Sequence, residues 1–125
     1  MSKKENEPSE VLTDFLEYIN GCREQYQAAY EAVKTEERRL QDLLHELELA
    51  EGKNAKRRAA TKLRNSRRQR RKKKDEAMRL ELIVNFFDEP AHKSSMNKMK
   101  QLVKRQMKQE EYLNGERHYN KRVDG

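Results

Sequence analysis

Leu12, Phe15, Ile19, Cys22, Tyr26, Ala29, Val33, Glu36, Leu40, Leu43, Leu47 and Ala50 follow one another at alternating intervals of three and four residues, without a slip. Eleven of the twelve are apolar or aromatic. A sustained 3.5-residue repeat keeps one stripe of a helix turned toward a partner helix. Leu16, Tyr30 and Leu44 sit beside that stripe and widen it, as in a bundle. The pattern predicts a helix from about 9 to 51, with Ser9 placed to cap its start and Gly52 to stop it. The spacing resumes as Ala59, Leu63, Ser66, Arg70, Lys73, Ala77, Leu80, Val84 and Phe87, and no breaker precedes Pro90. This predicts a second helix over about 54–88. A short turn at Gly52 makes the two an antiparallel hairpin, in which position i falls near 104−i.

After Pro90 a short link leads to Ser94 or Ser95, either of which can cap a third helix running to about 114. Its apolar positions are Met96, Met99, Leu102, Val103, Met107, Tyr112 and Leu113, a stripe suited to packing across the far end of the hairpin. The expected fold is all-α: a long antiparallel, coiled-coil-like helical hairpin with a shorter third helix. Residues 1–8 read as a disordered N-terminus, 9–114 as a single helical domain and 115–125 as a flexible basic tail. Gly21 is the weak point of the first helix.

Within the first seam, Glu36 is the sole charge. Either it reaches outward or pairs with an arginine of the neighbouring helix, or it makes a buried polar contact that fixes register. Cys22 reads as a small core residue and His45 as solvated.

Composition then changes the picture. The 125 residues are 41% charged and 34% hydrophobic, against about 25% and about 45–50% in an ordinary domain. Such a chain buries narrow seams and builds no broad core. Four glycines and two prolines are too few for a many-stranded β protein. One cysteine excludes an internal disulfide framework. No apolar run approaches a membrane span, and Met1–Glu10 has no secretory apolar region, so a cytoplasmic protein is expected.

The charge is also unevenly placed. Residues 1–51 hold 6 basic and 13 acidic side chains, a net of −7, whereas 53–74 hold 13 basic residues and no acidic one. The remainder, 75–125, contributes +1. The acidic arm of the hairpin can neutralise part of the basic one, with Arg67, Arg68 and Arg70 falling near Glu36 and Glu37. Opposite the nine basic residues of 62–74, however, residues 30–42 supply only four acidic side chains and three basic ones. Most of the positive field must therefore face outward. An outward row of arginine and lysine neutralises phosphates and releases counterions, and arginine-rich helices also dock on structured RNA. The candidate binding residues are Arg57, Arg58, Lys62, Arg64, Arg67, Arg68, Arg70, Arg71, Lys72, Lys73 and Lys74.

Neither a basic zipper nor a membrane-surface helix fits this block. Only about two apolar heptads follow it before Pro90, and it has no apolar face to insert. No phosphate loop, metal-ligand spacing or nucleophile motif occurs, so no catalysis, no cofactor and no metal are expected. The tail Arg117–Arg122 offers a further basic segment.

Three segments in order, Gln41–Leu49, Arg67–Glu76 and Arg117–Val123, resemble small helical proteins encoded by phages and mobile elements of Gram-positive bacteria. The resemblance spans about Glu37 to Val123. It implies a phage context, hence a host-cell cytoplasm, and no particular chemistry; it raises one further option, an action against a host machine such as a CRISPR nuclease. Two expectations stand side by side: a protein that engages nucleic acid or a host nucleoprotein through its basic helix, and a protein-binding inhibitor of a host defence complex. Apolar seam left over from two or three amphipathic helices leaves room for a homodimer.

Overall fold

The computed structural model describes residues 6–115, and the expectations for residues 1–5 and for the basic tail from 116 onward lie outside them. Three α-helices account for nearly all of the described chain: α1 over Pro8–Leu49, α2 over Lys53–Asp88 and α3 over Pro90–Asn114. The fold is all-α, with α1 and α2 forming a long helical hairpin. The described residues fall into two units, one of 19–86 and one joining 6–18 with 87–115.

In the unit of 19–86, the seams expected from the 3/4 spacing are the ones buried. On α1, Ile19, Cys22, Ala29, Glu36 and Leu43 are buried, with Tyr26, Val33, Leu40 and Leu47 half-buried between them. On α2, Ala59, Ser66, Ala77 and Val84 are buried, and Leu63, Arg70, Lys73 and Leu80 are half-buried. Alanine, serine and cysteine occupy many of these buried positions, so the seam encloses little side-chain volume. His45 is exposed, as its place off the stripe predicts. The turn falls at Gly52, whose φ of +84° lies in the left-handed region that glycine enters without a steric penalty. Its carbonyl also accepts the Lys56 amide at 3.1 Å, opening α2.

Glu36 takes the buried polar role. Its carboxylate accepts the Ser66 hydroxyl of α2 at 2.9 Å and is bonded by Arg39, three residues on in its own helix. The arginine partner therefore comes from α1 and not from the neighbouring helix. The cross-helix bond ties one rung of the hairpin, and a register slip would leave the carboxylate buried without the serine.

In the other unit, α1 begins at Pro8, so Pro8 occupies the first helical position, where its missing N–H is no loss. Glu7 stands just outside, and its carbonyl accepts the Glu10 and Val11 amides at 2.9 and 3.3 Å. Ser9 is thus inside the helix and does not cap it as expected. The cap comes from far along the chain: the Glu110 carboxylate accepts the Ser9 amide at 3.0 Å and also the Ser9 hydroxyl. A helix start presents unpaired N–H groups and a positive dipole end, so a carboxylate is the complementary group there. Gln106 donates to the same carboxylate at 2.9 Å. Asn114 donates to Glu7 at 3.0 Å, and Phe15 meets Phe87 edge-on, ring centroids 6.1 Å apart.

Helix α3 differs from expectation at both its start and its buried face. It begins at Pro90, with extended Glu89 before it: the proline that ends α2 also supplies the favoured first residue of the next helix. Ser95 donates back to the Ala91 carbonyl at 3.1 Å, so it is an interior residue of α3 and caps nothing. The buried face runs Met96, Met99, Val103, Gln106 and Glu110, whereas Leu102, Met107, Tyr112 and Leu113 are exposed. The 3/4 spacing continues in α3, but its last two positions are polar.

Candidate nucleic-acid interface

The basic block lies wholly on α2, which carries its cations in two ways. At about 100° per residue, Lys62, Arg70 and Lys73 turn toward α1 or lie along the seam. Each of the three has a carboxylate partner: Lys62 with Glu46 at 2.9 Å, Arg70 with Glu37 at 3.3 Å and Lys73 with Glu76 at 3.2 Å. The Arg70 Nε is buried, with no acceptor among the described residues. Lys62 and Arg70 are answered across the hairpin and Lys73 within α2.

The other eight sequence-predicted residues (Arg57, Arg58, Arg64, Arg67, Arg68, Arg71, Lys72 and Lys74) are exposed. Among the described residues none of them has a carboxylate at ion-pair distance. Arg57, Arg64, Arg68 and Arg71 fall within about 60° of one another, roughly opposite the seam residues Ala59, Ser66 and Ala77. Arg67 and Lys74 flank this row on one side; Lys72 and Arg58 flank it on the other. Lys56 belongs with Arg67 and Lys74, eleven and eighteen residues ahead of them; it too is exposed and has no carboxylate at ion-pair distance among the described residues. Sequence reasoning left it out, although the same 3/4 phase that places the arginines also places it.

Between the central row and the Arg67 flank runs a shallow trough of about 330 Å³, bordered by Ala60, Leu63, Arg64, Arg67, Arg68 and Arg71. Its lining comes from α2 alone, with Ala60 and Leu63 as floor. Arginine stems cover such apolar floor while the guanidinium heads stay in water. Asp75 stands in line with the central arginines and ends the row. Beyond it the outward side carries Met78 and Leu82, both strongly exposed, beside exposed Arg79.

No family model, no curated protein and no solved structure matches the chain.

Among the described residues no group of three or more His, Cys, Asp or Glu is placed to hold a metal ion. No helix there is long and apolar enough to cross a membrane. Glu110 is the one group in the described chain with a resolved titration shift. Burial, the largest single influence, pushes its carboxyl up; the Ser9 hydroxyl, Gln106 and the Ser9 amide together outweigh it and hold the carboxyl below its ordinary range. That group belongs to the helix cap and lies in the other unit from the basic face.

Proposed function

We propose that this chain is a non-catalytic binding protein that lays the outward face of α2 on the phosphates of a nucleic acid or nucleoprotein. The observation that carries this reading is the set of exposed, unpaired cations on one face of one helix. Cations not neutralised internally attract a polyanion and release its counterions on binding. The phage context implied by the resemblance is part of the same proposal and places the activity in a host cytoplasm. The test is a salt titration of binding to mixed-sequence DNA and RNA. Affinity is expected to fall at least ~100-fold between about 50 and 200 mM salt, as several phosphate contacts require. Replacing Arg64, Arg67, Arg68 and Arg71 by alanine is expected to weaken binding strongly while the helical content stays intact. Salt-independent binding, or none at low salt, overturns the reading.

A second reading, a protein-binding inhibitor of a host defence complex such as a CRISPR nuclease, is favoured by one feature: the exposed Met78 and Leu82 that continue the basic face. It predicts a protein that stays bound after nuclease treatment and is lost on Met78→Asp or Leu82→Asp. The same apolar stretch is where a homodimer would form, and sedimentation at several concentrations reads it directly.

A further inference from the structure

The structure assigns the outward face of α2 to the major groove of B-form duplex DNA, an assignment that rests on the nucleic-acid reading above and narrows it to one class of polymer. Three observations converge on it. The first is shape. An α-helix with its side chains is about 10–12 Å across, and the B-form major groove is about 12 Å wide and about 8.5 Å deep. Packed helices have axes about 8–10 Å apart, so the outward half of α2 can enter such a groove while α1 stays outside it. The major groove of A-form RNA is too narrow for this.

The second observation is the arrangement of charge across the face. Arg57, Arg64, Arg68 and Arg71 form the central row, where a groove-bound helix meets base edges. Lys56, Arg67 and Lys74 lie along one border, and Lys72 and Arg58 along the other, where the two phosphate strands run. The acidic partners of the hairpin, Glu37 and Glu46, are paired with Arg70 and Lys62 on the α1 side, set back from the groove. Asp75 closes the row, so the basic face spans 56–74, about 27 Å at ~1.5 Å per residue.

The third observation concerns what the face lacks in sequence. Between Lys53 and Ala77 there is no Phe, Tyr, Trp or His. Proteins that hold single strands stack bases on aromatic side chains, and this face has none to offer. Arginine at the centre of a major-groove helix instead bonds guanine through O6 and N7. The central row therefore favours duplexes containing guanine, and the five flanking cations set the salt dependence.

The experiment measures binding of the full chain by fluorescence anisotropy to three probes of one sequence: a DNA duplex of about 16 base pairs, the RNA duplex and the DNA single strand. The DNA duplex is expected to bind at least ~10-fold tighter than either, with a log–log salt slope of about −4 to −5 for five phosphate contacts. Replacing its guanines by 7-deazaguanine, which removes N7, is expected to weaken binding by at least ~5-fold. The variant Arg64→Gln/Arg68→Gln/Arg71→Gln, folded by circular dichroism, is expected to lose that guanine dependence and keep its slope. In contrast, Lys56→Gln/Arg67→Gln/Lys72→Gln/Lys74→Gln is expected to flatten the slope by about 3 to 4. Equal or tighter binding to RNA duplex or single strand, or indifference to 7-deazaguanine, overturns the major-groove assignment and leaves the nucleic-acid reading standing. Failure to bind any of the three at low salt overturns both.

Discussion

The two sides of α2 carry the same residue types to opposite ends. On the side facing α1, cations are answered within the hairpin: Arg70 meets Glu37, Lys62 meets Glu46, and Ser66 donates to the buried Glu36. On the outward side, Arg64, Arg67, Arg68 and Arg71 are exposed with no carboxylate among the described residues to neutralise them. Ion pairs at an exposed surface contribute little to stability, so the inner pairs mainly offset part of the like-charge repulsion within each helix. The outer cations leave that repulsion in place along the helix. A row of like charge weakens a helix, and its retention on one face is what a polyanionic partner would relieve.

That comparison breaks most visibly under charge reversal. Changing Arg64, Arg68 and Arg71 to glutamate is expected to lower nucleic-acid affinity by at least ~10³-fold while the melting temperature holds or rises, since the variant removes like-charge repulsion. A fall in both together would show that these arginines hold the fold. On the inner side the expectation inverts. Ser66→Ala leaves the Glu36 carboxylate buried with one donor fewer, a loss of about 1–3 kcal/mol in unfolding free energy. Affinity for nucleic acid should not move, and an affinity change would connect the two sides of the helix.

The other buried serine–glutamate contact sharpens the comparison by pH. Hydrogen bonds hold the Glu110 carboxyl below its ordinary range, so its contribution is complete above the pKa of the unfolded chain. That contribution is lost as pH falls through the lower value of the folded state. Wild type should therefore exceed Glu110→Gln in melting temperature at neutral pH, with the gap closing in acid below the ordinary carboxylate range of about 4. A gap that stays constant with pH would mean that the cap works through shape alone.

Two smaller effects complete the set. A Cβ added at Gly21 meets nothing within 4 Å, so Gly21→Ala is expected to raise unfolding free energy by about 1 kcal/mol. It should leave binding untouched, because position 21 is on α1. A double-mutant cycle on Lys62 and Glu46, both partly exposed, is expected to return only about 0.2–1 kcal/mol. A much larger coupling would move Lys62 from neutralised bystander to structural anchor.

Much of this was written in the chain. Helix identity and the buried stripes follow from local rules, because a 3/4 spacing leaves one face apolar whatever it packs on, and Gly52 can adopt a backbone that other residues avoid. The basic block, and the shortage of acidic residues to answer it, are matters of counting. The sequence therefore determined that there is a hairpin and that most of its positive charge must face out.

Which cations face out was decided by the tertiary structure. Reflection about residue 52 groups Arg67, Arg68 and Arg70 near the glutamates, but only Arg70 is turned toward α1 and paired with Glu37. Neighbouring helical positions diverge by about 100°, so a register estimate good to a few residues cannot choose among three consecutive candidates. The same limit hid Lys56. Glu110 was invisible for a different reason. A charge on a helix surface reads as solvated until the start of another helix, 101 residues away in the chain, brings an unpaired amide to it. Long-range partners create the environment that makes such a burial favourable, and no local pattern contains them.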